Sequence, residues 1–167
     1  MILEGYSLRL VNASIESAVL VYEHATTSDI PALSALLSVL FTQEVEFQPD
    51  VAAQSKGLSA IINHPDIGAV LVARDGKKIL AMVNLLFTVS TALGKRVAIL
   101  EDMVVLPSAR GTGVGSGLLS YAISFARRNE VKRITLLTDN ENISAQRFYE
   151  NHGFFKSSMM PLRLALD

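Results

Sequence analysis

Residues 96–128 read RVAILEDMVVLPSARGTGVGSGLLSYAISFARR: an apolar, β-branched run, a turn with glycines at 111, 113, 115 and 117, and then a helical pattern. A strand that feeds a glycine-rich turn into a helix is a βα unit, and a strand apolar on both faces is central to its sheet. The helix is predicted over Gly113–Asn129, with Leu118, Ala122, Phe125 and Ala126 facing in. Ser120, Ser124, Arg127 and Arg128 then face out. Backbone N–H groups converge at such a helix start and the helix dipole favours negative charge there, so the turn is suited to a phosphate.

Spacing restricts which phosphate. A Walker A loop beginning at Gly111 needs glycine at Ser116, one beginning at Gly113 needs it at Leu118, and neither has the following lysine. The dinucleotide pattern Gly-x-Gly-x-x-Gly fails at the same two positions. An ATPase and a Rossmann dehydrogenase are therefore poor readings. The turn does contain Arg-x-x-Gly-x-Gly, at Arg110, Gly113 and Gly115.

The rest of the chain surrounds this unit with mixed elements. A strand is expected at Ser17–His24 and a short one at Tyr6–Val11. Thr27 or Ser28 caps a helix running to about Phe41, with Leu33, Leu36, Leu37 and Leu40 on one face and Pro31 in its first turn. A second helix is expected at Val51–Asn63, and Asp75-Gly76 marks a hairpin between two strands. Arg133–Thr138 reads as a short buried strand, Asn142–His152 as a helix closed by Gly153, and Met159–Leu166 as a last strand. The order β-α-α-β-β-β-α-β-α-β describes one mixed α/β domain over residues 1–167, with 1–16 a poorly defined extension. A chain of 167 residues without repeats or linkers suits that reading.

Composition narrows the partners. A net charge of −1 lacks the basic surplus of a nucleic-acid binder. The chain has no cysteine, which excludes disulfides and thiolate metal sites and fits the cytoplasm. His24, His64 and His152 are scattered without metal-ligand spacing, so no metal is expected. The N-terminal stretch reads as neither signal peptide nor membrane span, so no membrane partner is expected.

Three stretches together carry a resemblance: the Arg110-x-x-Gly113-x-Gly115 turn, the strand LEDMVV at 100–105, and NISAQRFYENHGF at 142–154, with Asn142, Ala145, Phe148, Tyr149 and Gly153-Phe154. In this order and spacing the chain resembles the GNAT superfamily of N-acetyltransferases, from about Ser17 to Leu166. It departs at Ala81, where many relatives have glycine. The resemblance implies the GNAT fold, a mixed central sheet flanked by helices with splayed central strands. It also implies acetyl-CoA as co-substrate. The N–H groups of Gly111, Thr112, Gly113, Val114, Gly115 and Ser116 would form a nest for its pyrophosphate, with Arg110 holding the loop or the phosphate. Met103, Val104 and Val105 would pair with the pantetheine arm, and a backbone N–H near Val104 or Val105 would polarise the thioester carbonyl. Asn142, Ala145 and Phe148 complete the cofactor side, Asn142 by bonding the arm, by capping its helix, or both.

Acetylation of an amine needs a base for the amine and an acid for the leaving thiolate. Glu101 is the expected base, acting through a water: strict alternation puts it with Ile99 and Met103 on a buried face, and burial raises a carboxylate's pKa. Asp102 then points the other way unless a bulge intervenes; the structural alternative for Glu101 is a pair with Arg96 or the loop. Tyr149 is the expected acid, a phenol of pKa near ~10 facing a thiol nearer ~8.5, with Phe148 as the core aromatic.

The loop FTQEVEFQPD, in the family a wall of the acceptor site, holds the acids Glu44, Glu46 and Asp50, with Phe41 and Phe47 as apolar walls, an acidic rim suited to a small cationic amine. Acetyl and longer acyl donors both remain open. Two rival classes are a CoA-binding sensor without turnover, which needs neither Glu101 nor Tyr149, and an acetyltransferase acting on protein lysines or N-termini. Dimers are common among relatives, and the N-terminal segment is available for a homodimer interface.

Overall fold

The computed structural model describes residues 19–42 and 48–166. The described elements are β1 (Leu20–His24), α1 (Ile30–Phe41), α2 (Val51–Asn63), β2 (Gly68–Asp75), β3 (Lys78–Ser90), β4 (Lys95–Val105), α3 (Val114–Arg128), β5 (Ile134–Leu136) and α4 (Ile143–Glu150). One sheet runs in the order β1-β2-β3-β4-β5, antiparallel throughout except for the parallel β4–β5 pair. This is the mixed sheet flanked by helices expected from the sequence.

The alternation of β2 divides the core. Ala69, Leu71 and Ala73 join Ala81, Val83 and Leu85 of β3 beneath Leu118, Leu119, Ala122 and Ala126 of α3. Val70 and Val72 face the other way, with Met82 of β3, against Leu33, Leu36 and Leu37 of α1 and Leu58 of α2. Both faces are buried, so these strands read as continuous apolar runs. Burying each large aliphatic side chain contributes roughly 1.5–3 kcal/mol, so the two layers fix the sheet between the helix pairs.

The caps are local chemistry. Thr26, rather than Thr27 or Ser28, opens the first helical segment: its N–H and hydroxyl both donate to Asp29, at 2.8 and 3.0 Å. A 3-10 turn at Thr27–Asp29 precedes α1, which is why the cap falls earlier than expected. Asp29 also takes Arg74 at 2.9 Å, and Arg74 reaches Glu23 at 2.6 Å, tying β1, β2 and the start of α1 together. Burial would raise the Asp29 pKa, but the bonds from Thr26 and Arg74 outweigh it and lower it.

Two expectations change. β5 spans only Ile134–Leu136; Thr135 is exposed and its two neighbours are half-buried, so it is a short edge rather than a buried strand. Residues 159–166 form no strand: they are exposed and carry no regular secondary structure. Leu40 ends the α1 stripe as expected, half-buried against the cluster of Leu33, Leu36 and Leu37. The expected strand at Tyr6–Val11 and the start of the one at Ser17 lie outside the described residues.

Candidate active site

β4 carries a bulge where the chemistry was expected. Its register with β3 steps from Glu101 opposite Asn84 to Val104 opposite Met82, so two β4 residues, Asp102 and Met103, face one on β3. Asp102 takes φ 52°, a left-handed conformation that costs an ordinary residue roughly 1–2 kcal/mol and that Asp tolerates best after Gly and Asn. Asn84, 3% exposed, donates from Nδ2 to Asp102 Oδ2 at 2.6 Å. The second amide atom, Asn84 Oδ1, is buried without a partner.

The bulge revises the alternation argument. Met103 and Val105 pack on the α3 face, whereas Val104 packs on the α1 face. Met103 is therefore not on one face with Ile99 and Glu101. Glu101 itself is exposed, and the burial invoked for it on the sequence is absent.

Next to this bulge the sheet opens. The β4–β5 ladder holds Ala98, Ile99 and Leu100 against Ile134, Thr135 and Leu136 and goes no further. Glu101–Val105 thus has no β5 partner, which is the splay between central strands. The edge is an acceptor for an extended ligand backbone in the manner of an added strand.

The glycine turn follows. Arg110 Nε donates to Val105 O at 3.1 Å, so the guanidinium is held against the end of β4. Thr112 Oγ1 donates to Ala109 O at 2.7 Å, closing the turn from inside. Gly113, at φ 87°, is the N-cap of α3 and offers no side-chain cap. The first N–H groups of a helix have no intrahelical acceptor, so those of Val114, Gly115 and Ser116 are presented to an incoming anion. A methyl on Gly115 would sit 3.1 Å from Val105 Cγ2, 3.7 Å from Met103 Cε and 3.9 Å from Phe148 Cζ. That one position records how closely α3, β4 and α4 converge.

On α4, Asn142 Oδ1 accepts from Ala145 N at 3.0 Å, so the residue caps its helix. Phe148 packs edge-on to Tyr149 at 5.3 Å, and Tyr149 packs edge-on to Phe154 at 5.6 Å. Burial pushes the Tyr149 phenol up to about 12. It stays protonated, and therefore a donor, through the ordinary pH range.

His152 escaped the sequence reading. Its Nδ1 lies 2.7 Å from Phe148 O, and its Nε2 lies 2.7 Å from Ser116 Oγ. A carbonyl only accepts, so Nδ1 carries the hydrogen, and in the neutral ring Nε2 takes the Ser116 hydroxyl. The imidazole straps the end of α4 to the first turn of α3. The other two histidines serve separate elements: His64 Nδ1 bonds Ala60 O, and His24 lies edge-on to Phe125.

With this geometry, likeness to known proteins becomes informative. The Acetyltransferase (GNAT) family model matches residues 32–154. The chain belongs to the GNAT acetyltransferase family.

It is an acyltransferase of the kind that uses acetyl-CoA. It is 34% identical over 135 residues to the uncharacterized N-acetyltransferase YhfO of Bacillus subtilis, covering 78% of this chain and 86% of that protein. It is 30% identical over 134 residues to the aminoalkylphosphonate N-acetyltransferase of Salmonella typhimurium, covering 80% and 84%. A possible acetyltransferase from Clostridium difficile shares the fold, with a TM-score of 0.80, 17% identity, and coverage of 89% of this chain and 98% of that one.

The residues of this acetyltransferase suit the co-substrate. The uncapped α3 start fits a pyrophosphate, and the open edge of β4 fits a pantetheine arm with its two amides. The acceptor side is less complete among the described residues. Glu44, Glu46 and Phe47 lie outside them, Phe41 packs on the α1 core, and Asp50 accepts from Ala52 N and Ala53 N as the α2 cap. No helix among the described residues is long and apolar enough to cross a membrane.

Proposed function

We propose that this GNAT enzyme acetylates the primary amine of a small molecule by direct attack, with Glu101 as general base and Tyr149 as general acid. The observation that carries this reading is the end of the β4–β5 ladder at Leu100, one residue before Glu101. On this reading the chain carries one acetyltransferase domain, with residues 1–16 an extension of it, that works in the cytoplasm, and a homodimer is the candidate assembly.

Acetyl-CoA supplies the activated acyl group as a thioester. The protein binds its pyrophosphate through the N–H groups of Gly111–Ser116, with Thr112 and Arg110 holding the loop. Met103–Val105 lies along the pantetheine arm, Asn142, Ala145 and Phe148 line its other side, and a backbone N–H near Val104 or Val105 polarises the reacting carbonyl. Glu101, exposed beside the bulge, accepts the amine proton through a water; the exposure leaves room for that water. Tyr149 donates toward the leaving thiolate. With its pKa near 12, full transfer to a thiolate of ~8.5 runs uphill, so the proton passes late, after charge has built on sulfur.

The likeness to an aminoalkylphosphonate acetyltransferase supports a small amine and adds aminophosphonates to the candidates. Incubation with acetyl-CoA and a panel of polyamines, amino sugars, aminoalkylphosphonates and lysine peptides, with products read by mass spectrometry, tests the reading. Acetylation of one small-amine class is the expected result. Modification of peptides alone would make it a protein acetyltransferase, and acetyl-CoA binding without any product would make it a sensor.

A further inference from the structure

The Ser116 hydroxyl stands exposed in the first turn of α3, with its Oγ 2.7 Å from His152 Nε2. A hydroxyl has one hydrogen to give. His152 Nδ1 lies 2.7 Å from Phe148 O, so the neutral ring keeps its single hydrogen there and Nε2 takes the Ser116 proton. Ser116 Oγ then turns only lone pairs toward the space in front of α3. The N–H groups of Val114, Gly115 and Ser116 present that space to an anion, and lone pairs repel one.

A second proton on the ring reverses the arrangement. The imidazolium donates at both nitrogens, Nδ1–H to Phe148 O and Nε2–H to Ser116 Oγ, which frees the hydroxyl hydrogen for a phosphate oxygen. A positive ring one hydroxyl away from a pyrophosphate also gains from the opposite charge. Imidazole is the side chain that changes charge between about pH 5 and 8, so the exchange falls where enzymes work. We propose that Ser116 Oγ is a side-chain ligand of the co-substrate's pyrophosphate and that His152 takes up one proton on binding. The enzyme then holds acetyl-CoA more tightly as pH falls. This rests on the reading that the start of α3 receives the pyrophosphate.

The surroundings of the ring leave its charging to the ligand. Over Val114–Ala126 α3 carries no charged residue. The turn before it brings Arg110, whose Nε is bonded to Val105 O at 3.1 Å. α4 brings Arg147, Glu150 and the protonated Tyr149, and Lys156 follows it. Among the described residues no ion pair joins the imidazole to a carboxylate. The Phe148 ring, its centroid 4.8 Å from that of the imidazole, adds an apolar neighbour. No acid is paired with the ring to charge it in advance, so the bound anion does so.

Calorimetric titration of the full chain with acetyl-CoA at about pH 6 to 8, in buffers of different ionisation enthalpy, reads this linkage. Wild type should take up a proton, and its affinity relative to His152→Gln should fall about tenfold as pH rises through that range, one proton being exchanged. The glutamine keeps an N–H for Ser116 and does not titrate, and protons exchanged by the nucleotide's own phosphate are common to both and cancel. Ser116→Ala, at an exposed position, should lose the same uptake, and it decides alone if His152→Gln does not fold. A strap that only holds α4 to α3 would lower affinity equally at every pH. Parallel pH curves for wild type and both variants would therefore overturn the proposal while leaving the pyrophosphate site standing. Proton uptake that survives Ser116→Ala would overturn it too. Wild type that binds no acetyl-CoA would overturn the proposal and the pyrophosphate site together.

Discussion

Asn84 on β3 reaches across to Asp102 on β4 with a 2.6 Å hydrogen bond, and this bond spans the bulge that separates the apolar ladder from the open cleft. A buried amide inside the run LAMVNLLF is costly unless it holds something, and here it holds the carboxylate of a left-handed residue. Asn84→Leu should lower stability by about 1–3 kcal/mol, read by urea unfolding, because the charged acceptor loses a donor. Turnover should fall by more than that stability loss explains, since the bulge sets where Glu101 points. Unchanged kcat with unchanged stability would show that the bulge stands without Asn84.

Tyr149 separates chemistry from binding. Tyr149→Phe keeps the ring that packs between Phe148 and Phe154 and removes only the hydroxyl. Turnover should drop by about 10²-fold, the usual scale for a general acid, while acetyl-CoA affinity measured by calorimetry stays within a factor of about two. Equal losses in both would reassign the phenol to cofactor packing.

Gly113 tests the anion site. A methyl there meets open space, so Gly113→Ala acts through the backbone alone, which must hold φ 87°. The expected cost is about 1–2 kcal/mol of stability, or a relaxed turn that turns the α3 N–H groups from the ligand. A relaxed turn raises the KM for acetyl-CoA, and the strained one lowers the melting temperature. If neither moves, the left-handed cap is dispensable.

Acid should weaken the fold in two steps. Desolvation against Phe125, and then the charge of Arg128, lower the His24 pKa below 6.5. Its contribution is complete above 6.5 and fades as pH falls through the lowered value, because the unfolded chain takes the proton first. Asp29, lowered from 3.8, behaves alike in the more acid window: its stabilisation is present above 3.8 and is lost as pH falls through the folded value. Urea midpoints of Asp29→Asn should therefore fall below wild type at neutral pH and converge with it in acid. A constant offset at every pH would contradict the Thr26–Asp29–Arg74 assignment.

The sequence made α2 legible to the residue, because Asp50 is a local cap and Val51 begins an uninterrupted helical run. It made the glycine turn legible because the spacing of Arg110, Gly113 and Gly115 is local too. The bulge was not legible: alternation is exact only in an unbroken ladder, and the extra residue at Asp102 and Met103 is specified partly by Asn84, eighteen positions away. That is why alternation alone sets Met103 on one face with Glu101, where the bulge turns it to the α3 side. The Ser116–His152 strap was hidden for the same reason, since it joins residues that only the packing of α4 on α3 brings together. The alternation over Met159–Leu166 is legible as a pattern, but periodicity alone does not make a strand, and these residues form none.

The direct test of the mechanism is the pH dependence of kcat/KM for the acetylated amine, in wild type and in Glu101→Gln. With Glu101 as the base, wild type shows an acidic limb and the variant is slower with that limb flattened. An acidic limb that persists unchanged in Glu101→Gln would remove Glu101 as the base and leave the amine to lose its proton elsewhere.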